Sequence, residues 1–99
     1  MHSYSTLREV VRGAGGTLVE EHLCPDAFCS AYAVFAGCGP RFRLVWDGKE
    51  NYGLLQVQSA PGQWKDRGPL VRERVGESFS DMPAFLATVG RLVAGTEES

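Results

Sequence analysis

Between Arg41 and Gln58 the chain alternates. Phe42, Leu44 and Trp46 are apolar, Arg41 and Arg43 are charged, and beyond the segment DGKENYG the residues Leu55 and Val57 alternate with Gln56 and Gln58. A period of two belongs to a strand with one face in a core and the other in water. Two such runs around a glycine-containing loop predict a β-hairpin, with Gly48 and Gly53 available for positive φ. TLVEEHL (17–23) is a strand of ambiguous facing, FCSAYAVFAG (28–37) reads as a buried strand, and LVRERV (70–75) as a further strand. CPDAFC and CGP read as turns, and APGQWKDRGP (60–69) as a loop bracketed by Pro61 and Pro69.

Helical spacing occurs twice. Thr6 and Glu9 fit a capping box, followed by Leu7, Val10, Val11 and Ala14 at helical intervals; Gly13, Gly15 and Gly16 then end the helix. A helix of this length, roughly Thr6 to Gly13, is marginal without packing. Near the C-terminus, Ser80 or Asp81 can cap a second helix and Pro83 sits in its first turn; Phe85, Leu86, Val89, Leu92 and Val93 form its stripe, and Gly95 suits the C-cap. Two amphipathic helices must bury their stripes, and one face of an antiparallel sheet receives both. The expected fold is α+β: an N-terminal helix, an antiparallel four- to five-stranded meander and a C-terminal helix, in a two-layer sandwich with the helices on one face. Residues 1–95 are read as a single domain and 96–99 as a flexible acidic tail. In outline this layout resembles that of small bacterial immunity proteins and secretion chaperones; no motif carries a family, and none is assigned.

Composition narrows the function classes. In 99 residues there is room for one modest core. The hydrophobic share of 43% and charged share of 22% are those of a globular domain. The net charge of −2, without a basic block, supplies no field to neutralise phosphates, so no nucleic-acid partner is expected. There is no apolar run of about 18 residues and no signal peptide at MHSYSTLREV, so no membrane partner is expected and a cytoplasmic location is. Three cysteines are an odd number, unlike a secreted disulfide framework.

Candidate chemistry is sparse. His22, Cys24, Cys29 and Cys38 offer zinc-type ligands, but their spacing lacks paired knuckles, and free cysteines also serve as small buried hydrophobes. No nucleophile elbow accompanies a cysteine–histidine pair with His22 or His2. GAGGT (13–17) leaves a helix rather than entering one and has no P-loop lysine. Glu20 and Glu21 are adjacent and would point to opposite sheet faces, while Asp47 and Glu50 belong to a turn. No cofactor and no metal are expected from these residues.

The outer sheet face is the remaining candidate. If Phe42, Leu44, Leu55, Val57, Val71 and Val75 face the helices, then Arg41, Arg43, Gln56, Gln58, Arg72 and Arg74 share the opposite face. Such a face is either merely solvated or a recognition surface. Arginine outnumbers lysine, whose only instances are Lys49 and Lys65, and arginine pairs with carboxylates bidentately. Trp64, in a polar proline-flanked segment, is a further partner-binding candidate. Glu73, between Val71 and Val75, is the one charge on the inward set: either this strand lies at a sheet edge or the facing assigned to it is wrong. The function expected is a small non-catalytic protein-binding module docking an acidic or mixed surface through this face. The alternatives are a small-ligand, metal or enzymatic site on His22, Cys24, Cys29 and Cys38, or a structural homodimer formed through edge strands.

Overall fold

Phe42, Leu44 and Trp46 are buried, and so are Gly53, Leu55 and Val57, while the residues between them are half-buried. The two runs are therefore paired strands with one face in a core. The computed structural model describes residues 2–24, 30–74 and 78–95. Along the chain they form α1 (His2–Gly13), β1 (Thr17–Cys24), β2 (Ser30–Ala36), β3 (Phe42–Asp47), β4 (Tyr52–Ala60), β5 (Gln63–Arg74), β6 (Ser78–Phe79) and α2 (Met82–Ala94). The strands lie in the order β1-β2-β3-β4-β5-β6, each antiparallel to the next. This is the α+β layout of helix, meander and helix, with six strands in place of four or five. The shortest extent, 20 Å, is one helix layer on one sheet, each about 10 Å deep. No helix among the described residues is long and apolar enough to cross a membrane. The terminal residues 96–99 and the position Val75 lie outside the described residues.

The largest departure from expectation is β5. The segment 60–69 is a hairpin: Pro61 and Gly62 make its two-residue turn, Gly62 at φ 76°, and Ala60 pairs with Gln63. Proline presets the first corner of such a turn and glycine tolerates the second. Pro69 lies in a bulge. Arg67 faces Leu55 and Val71 faces Gly53, so four steps of β5 oppose two of β4. A residue that cannot donate to the ladder is accommodated where the ladder is interrupted. The two prolines mark a turn and a bulge within a hairpin, not the ends of a loop.

The helices are corrected in detail. α1 begins at His2, which places Thr6 and Glu9 inside the helix and removes the expected capping box. The earlier start adds Tyr4 to the buried stripe with Leu7 and Val11. In α2 the buried positions are Phe85, Thr88, Val89 and Leu92, whereas Leu86 is 43% exposed. Thr88 enters the core because its hydroxyl donates to the Ala84 carbonyl at 3.0 Å, which satisfies it within the helix. Asp81 occupies the N-cap in a left-handed conformation, φ 54°, without a side-chain cap bond; Ser80 Oγ instead accepts from the Arg72 amide. In the β3–β4 turn the positive φ belongs to Asn51, not to Gly48 or Gly53, and Asp47 Oδ1 accepts from the amides of Lys49 and Glu50.

Both helices pack on one face. Tyr4, Leu7 and Val11 from α1 and Phe85, Val89 and Leu92 from α2 join Ala31, Ala33, Phe35, Phe42, Leu44, Trp46, Leu55, Val57 and Val71 in one cluster. Gly53 lies beneath Leu7, whose Cδ1 would be 3.0 Å from any added Cβ. At the other end, the turn after β2 meets the end of α2 backbone to backbone. The Cys38 amide donates to the Val93 carbonyl at 2.8 Å, and a Cβ on Gly37 would lie 2.8 Å from that same oxygen. α1 is held to β1 by a polar contact. The Tyr4 hydroxyl donates to Glu21 Oε2 at 2.5 Å and Arg8 Nη1 donates to the same oxygen at 2.8 Å. The hydrogen bond from Tyr4, then that from Arg8, holds the Glu21 carboxyl below the usual glutamate range, and burial pushes the Tyr4 phenol up.

Two tests address this packing. Gly37→Ala must displace the end of α2 and is expected to cost about 1–3 kcal/mol in chemical denaturation, whereas Gly90→Ala, in α2 with open space around it, should gain about 0.5–1 kcal/mol. Glu21 binds its proton less readily folded than unfolded. Its stabilisation is therefore present above the ordinary glutamate value and is lost as pH falls through the lowered one. Tyr4→Phe should cost about 1 kcal/mol at neutral pH and, in urea melts down the acid range, should show a smaller loss of stability on acidification than the wild type.

Candidate functional site

Strand pairing places the outward residues in rows across the sheet, because directly opposed residues share a face. One row is Glu20, Val34, Arg43, Gln56 and Asp66. The next is His22, Tyr32, Val45 and Leu54. On the other side of the first row Gln58 is paired with Trp64, and its amide donates to the Arg41 carbonyl at 2.9 Å. A last row holds Asp47, Tyr52 and Arg72.

Arg43 is the centre of this face. Its Nε donates to Gln56 Oε1 at 2.7 Å, and Gln56 Nε2 donates onward to Asp66 Oδ1 at 2.9 Å. The guanidinium carbon lies 4.4 Å from the centre of the Trp64 ring and 5.4 Å from that of Tyr32. Tyr32 in turn stacks on His22, ring centres 5.3 Å apart. Aromatic rings, cation and amide thus form one continuous layer over β1 to β5. Arg43, Tyr32 and Trp64 are half-buried beneath no other element among those described, and Val34, beside Arg43, is only 4% exposed although it stands outside the main core. Burial lowers the Arg43 pKa, and Tyr32 opposes that shift. Cation–aromatic contacts that lose water in this way are worth about 0.5–2 kcal/mol.

The candidate residues are sorted by this geometry. Arg43, Gln56 and Trp64 are brought together, with Gln58 and Arg41 in the adjoining row. Arg72 stands apart: it is exposed, its guanidinium carbon is 5.5 Å from the Tyr52 ring centre, and its row lies about 13 Å along the strands from that of Arg43. Arg74 ends β5 and Glu73 pairs there with Phe79, but the side chains of both lie outside those described. Trp64 is on a strand, against an arginine, and not in a loop. The face is also less basic than an arginine count suggests. Among the described residues Glu20, Asp47 and Asp66 share it with Arg41, Arg43 and Arg72.

Tyr32 and Asp66 were missed, and His22 was weighed only as a metal or catalytic group, not as part of this face. Reading 28–37 as wholly buried hid the outward alternation of Tyr32 and Val34, and reading 60–69 as a loop hid the pairing of Asp66 with Gln56. The signal for Asp66, a period of two running on from Trp64, is not visible in Trp64, Lys65, Asp66 and Arg67, where three charges follow one apolar residue. It was masked because Lys65, opposite Val57 on the helix side, is exposed where the helices' cover ends.

The cysteine and histidine group does not come together as a foursome. His22 pairs with Tyr32 in the body of β2, while Cys38 follows the far end of β2 against α2, about 20 Å along the strand direction. Cys29 and the Cys24 side chain lie outside those described. No three metal-ligating side chains cluster among the described residues. An open depression of about 540 Å³ at the junction of α1 and β1 is lined by Glu9, Arg12, Gly13, Gly16, Thr17 and Leu18, none of them a cysteine or histidine.

The stacked layer makes a quantitative prediction. In a double-mutant cycle, Arg43→Met and Trp64→Leu should be coupled by about 0.5–2 kcal/mol in unfolding free energy. Arg41→Ala, which removes an exposed side chain, should change stability by less than about 0.5 kcal/mol. Strict additivity in the cycle would mean that the stack contributes nothing. No protein-family model, no curated protein and no solved structure matches this chain.

Proposed function

We propose that the chain is a small non-catalytic protein-binding module that docks one protein partner through the outer face of its sheet. The observation that supports this most is the ordered layer of Tyr32, Arg43, Gln56 and Trp64, built on the face that neither helix covers. A face kept only for solubility needs charge, not aromatic rings locked against an arginine. Arginine and the large aromatics are the side chains that dominate binding energy when a partner excludes water from them. Fixing them in advance reduces the ordering entropy that association would otherwise cost, about 0.5–1.5 kcal/mol per long side chain. Arg41 and Gln58 border the layer. The alternation of acids and bases across the rows suits a partner surface of mixed charge more than a uniformly acidic one. Binding in this form acts by occluding or shielding the partner, within a cytoplasmic setting and without turnover.

The test is site-specific photo-cross-linking in the native cells, with the photoreactive residue at Gln58 or Glu20 on the outer face and at Ala87 or Arg12 on the helix side. The expected result is one adduct of the same mass from both outer positions, none from the helix side, and loss of the adduct in Arg41→Glu with an unchanged melting temperature. Adducts confined to the helix side would overturn the assignment.

A further inference from the structure

On α1 and β1, Arg8 and Arg12 form ion pairs with Glu9 and Glu21. Arg43 differs. It is half-buried, yet no carboxylate lies within salt-bridge distance of it among the described residues, and its one hydrogen bond to protein goes from Nε to the neutral oxygen of Gln56. The two acids in its row, Glu20 and Asp66, each stand two strands away; Asp66 is engaged by the amide of that same glutamine and is separated from Arg43 by it, as Glu20 is by Val34. With Trp64 and Tyr32 over the guanidinium and Nε committed, the two terminal nitrogens Nη1 and Nη2 are left without an acceptor in the described protein. That edge of the guanidinium is the fork that matches two carboxylate oxygens.

We propose that Arg43 is the receptor for an aspartate or glutamate side chain of the partner protein, which supplies the bidentate carboxylate this chain withholds. The inference rests on the outer face being a protein-binding surface and names the chemistry at its centre. Three features favour it. The rings and Gln56 fix the arginine rotamer before binding, so little side-chain entropy remains to be lost. Partial removal from water strengthens a charge-assisted bond to an incoming anion. Glu20 and Asp66, at the two ends of the same row, disfavour a nucleic-acid strand, whose phosphates run on past the rings, more than they disfavour a carboxylate carried on a short peptide.

Arginine side-chain NMR on the intact protein tests this, using a blocked tetraglutamate peptide, its tetraglutamine counterpart and an oligothymidylate as probes. The Arg43 Nε–H resonance should shift saturably with tetraglutamate and not with tetraglutamine. Arg43→Lys, which keeps the charge and loses the fork, should weaken that binding by about tenfold, while Arg72→Gln should leave it unchanged. An Arg43 signal that ignores tetraglutamate at tens of millimolar, that responds equally to tetraglutamine, or that responds preferentially to oligothymidylate overturns the proposal. So does a cross-linked partner that stays bound to both Arg43→Lys and Arg43→Gln, although the outer-face reading then survives. A glutamate response at Arg43 with cross-links confined to the helix side would instead overturn the protein-binding reading and leave a carboxylate site standing.

Discussion

The period of two in β3 is the constraint from which the rest follows. Burying Phe42, Leu44 and Trp46 beneath the helices forces Arg43 and Val45 to the opposite side. Register then propagates that choice. With Leu44 opposite Leu55, Gln56 must face Arg43, and with Leu55 opposite Arg67, Asp66 must face Gln56. A slip of one residue would put the arginine into the core and a leucine into water, a double penalty that makes the register unambiguous. The polar chain on the outer face is thus set by the apolar pairs beneath it.

What the sequence shows best is what depends on period alone. The β3–β4 hairpin, the inward set of Phe42, Leu44, Leu55, Val57 and Val71, and α2 with its Gly95 cap are all visible as repeating patterns. What it hides depends on partners distant in the chain. α1 starts four residues before its expected cap because Tyr4 finds Glu21 and a core to enter, and neither is encoded near Tyr4. β5 was obscured for a different reason: two prolines and a run of charges describe a loop unless the neighbouring strand tolerates them. β4 does so with a turn at Pro61–Gly62 and a bulge around Pro69. The same misreading concealed part of the site, since Trp64 and Asp66 join it only if β5 is a strand.

The glycines play a complementary part at the opposite end of the sheet. Gly37 lets the β2–β3 turn touch the last turn of α2, and Cys38 then caps that contact with its amide. This fixes the C-terminal helix along the helix side of the sheet, at the end away from the β1–β2 connection. Both helices are consequently committed to one face by specific contacts, α1 through Glu21 and Gly53 and α2 through Gly37. The bare outer face is a product of those contacts rather than of a shortage of helix.

An arginine placed on that face could have been satisfied internally. Asp66 stands in the same row, and moving it one strand closer would give a direct ion pair whose field closes on itself. Gln56 stands between them and changes this outcome. It takes the Arg43 Nε with its oxygen and the Asp66 carboxylate with its nitrogen, so both charges are oriented without being joined. The rings of Trp64 and Tyr32 lie against the cation without accepting its N–H groups, and Nη1 and Nη2 have no acceptor among the described residues. An edge-open arginine costs the isolated protein some desolvation, visible in the lowered Arg43 pKa. That cost is offset when an acceptor arrives from outside, which is the condition under which such an arrangement is more stable bound than alone.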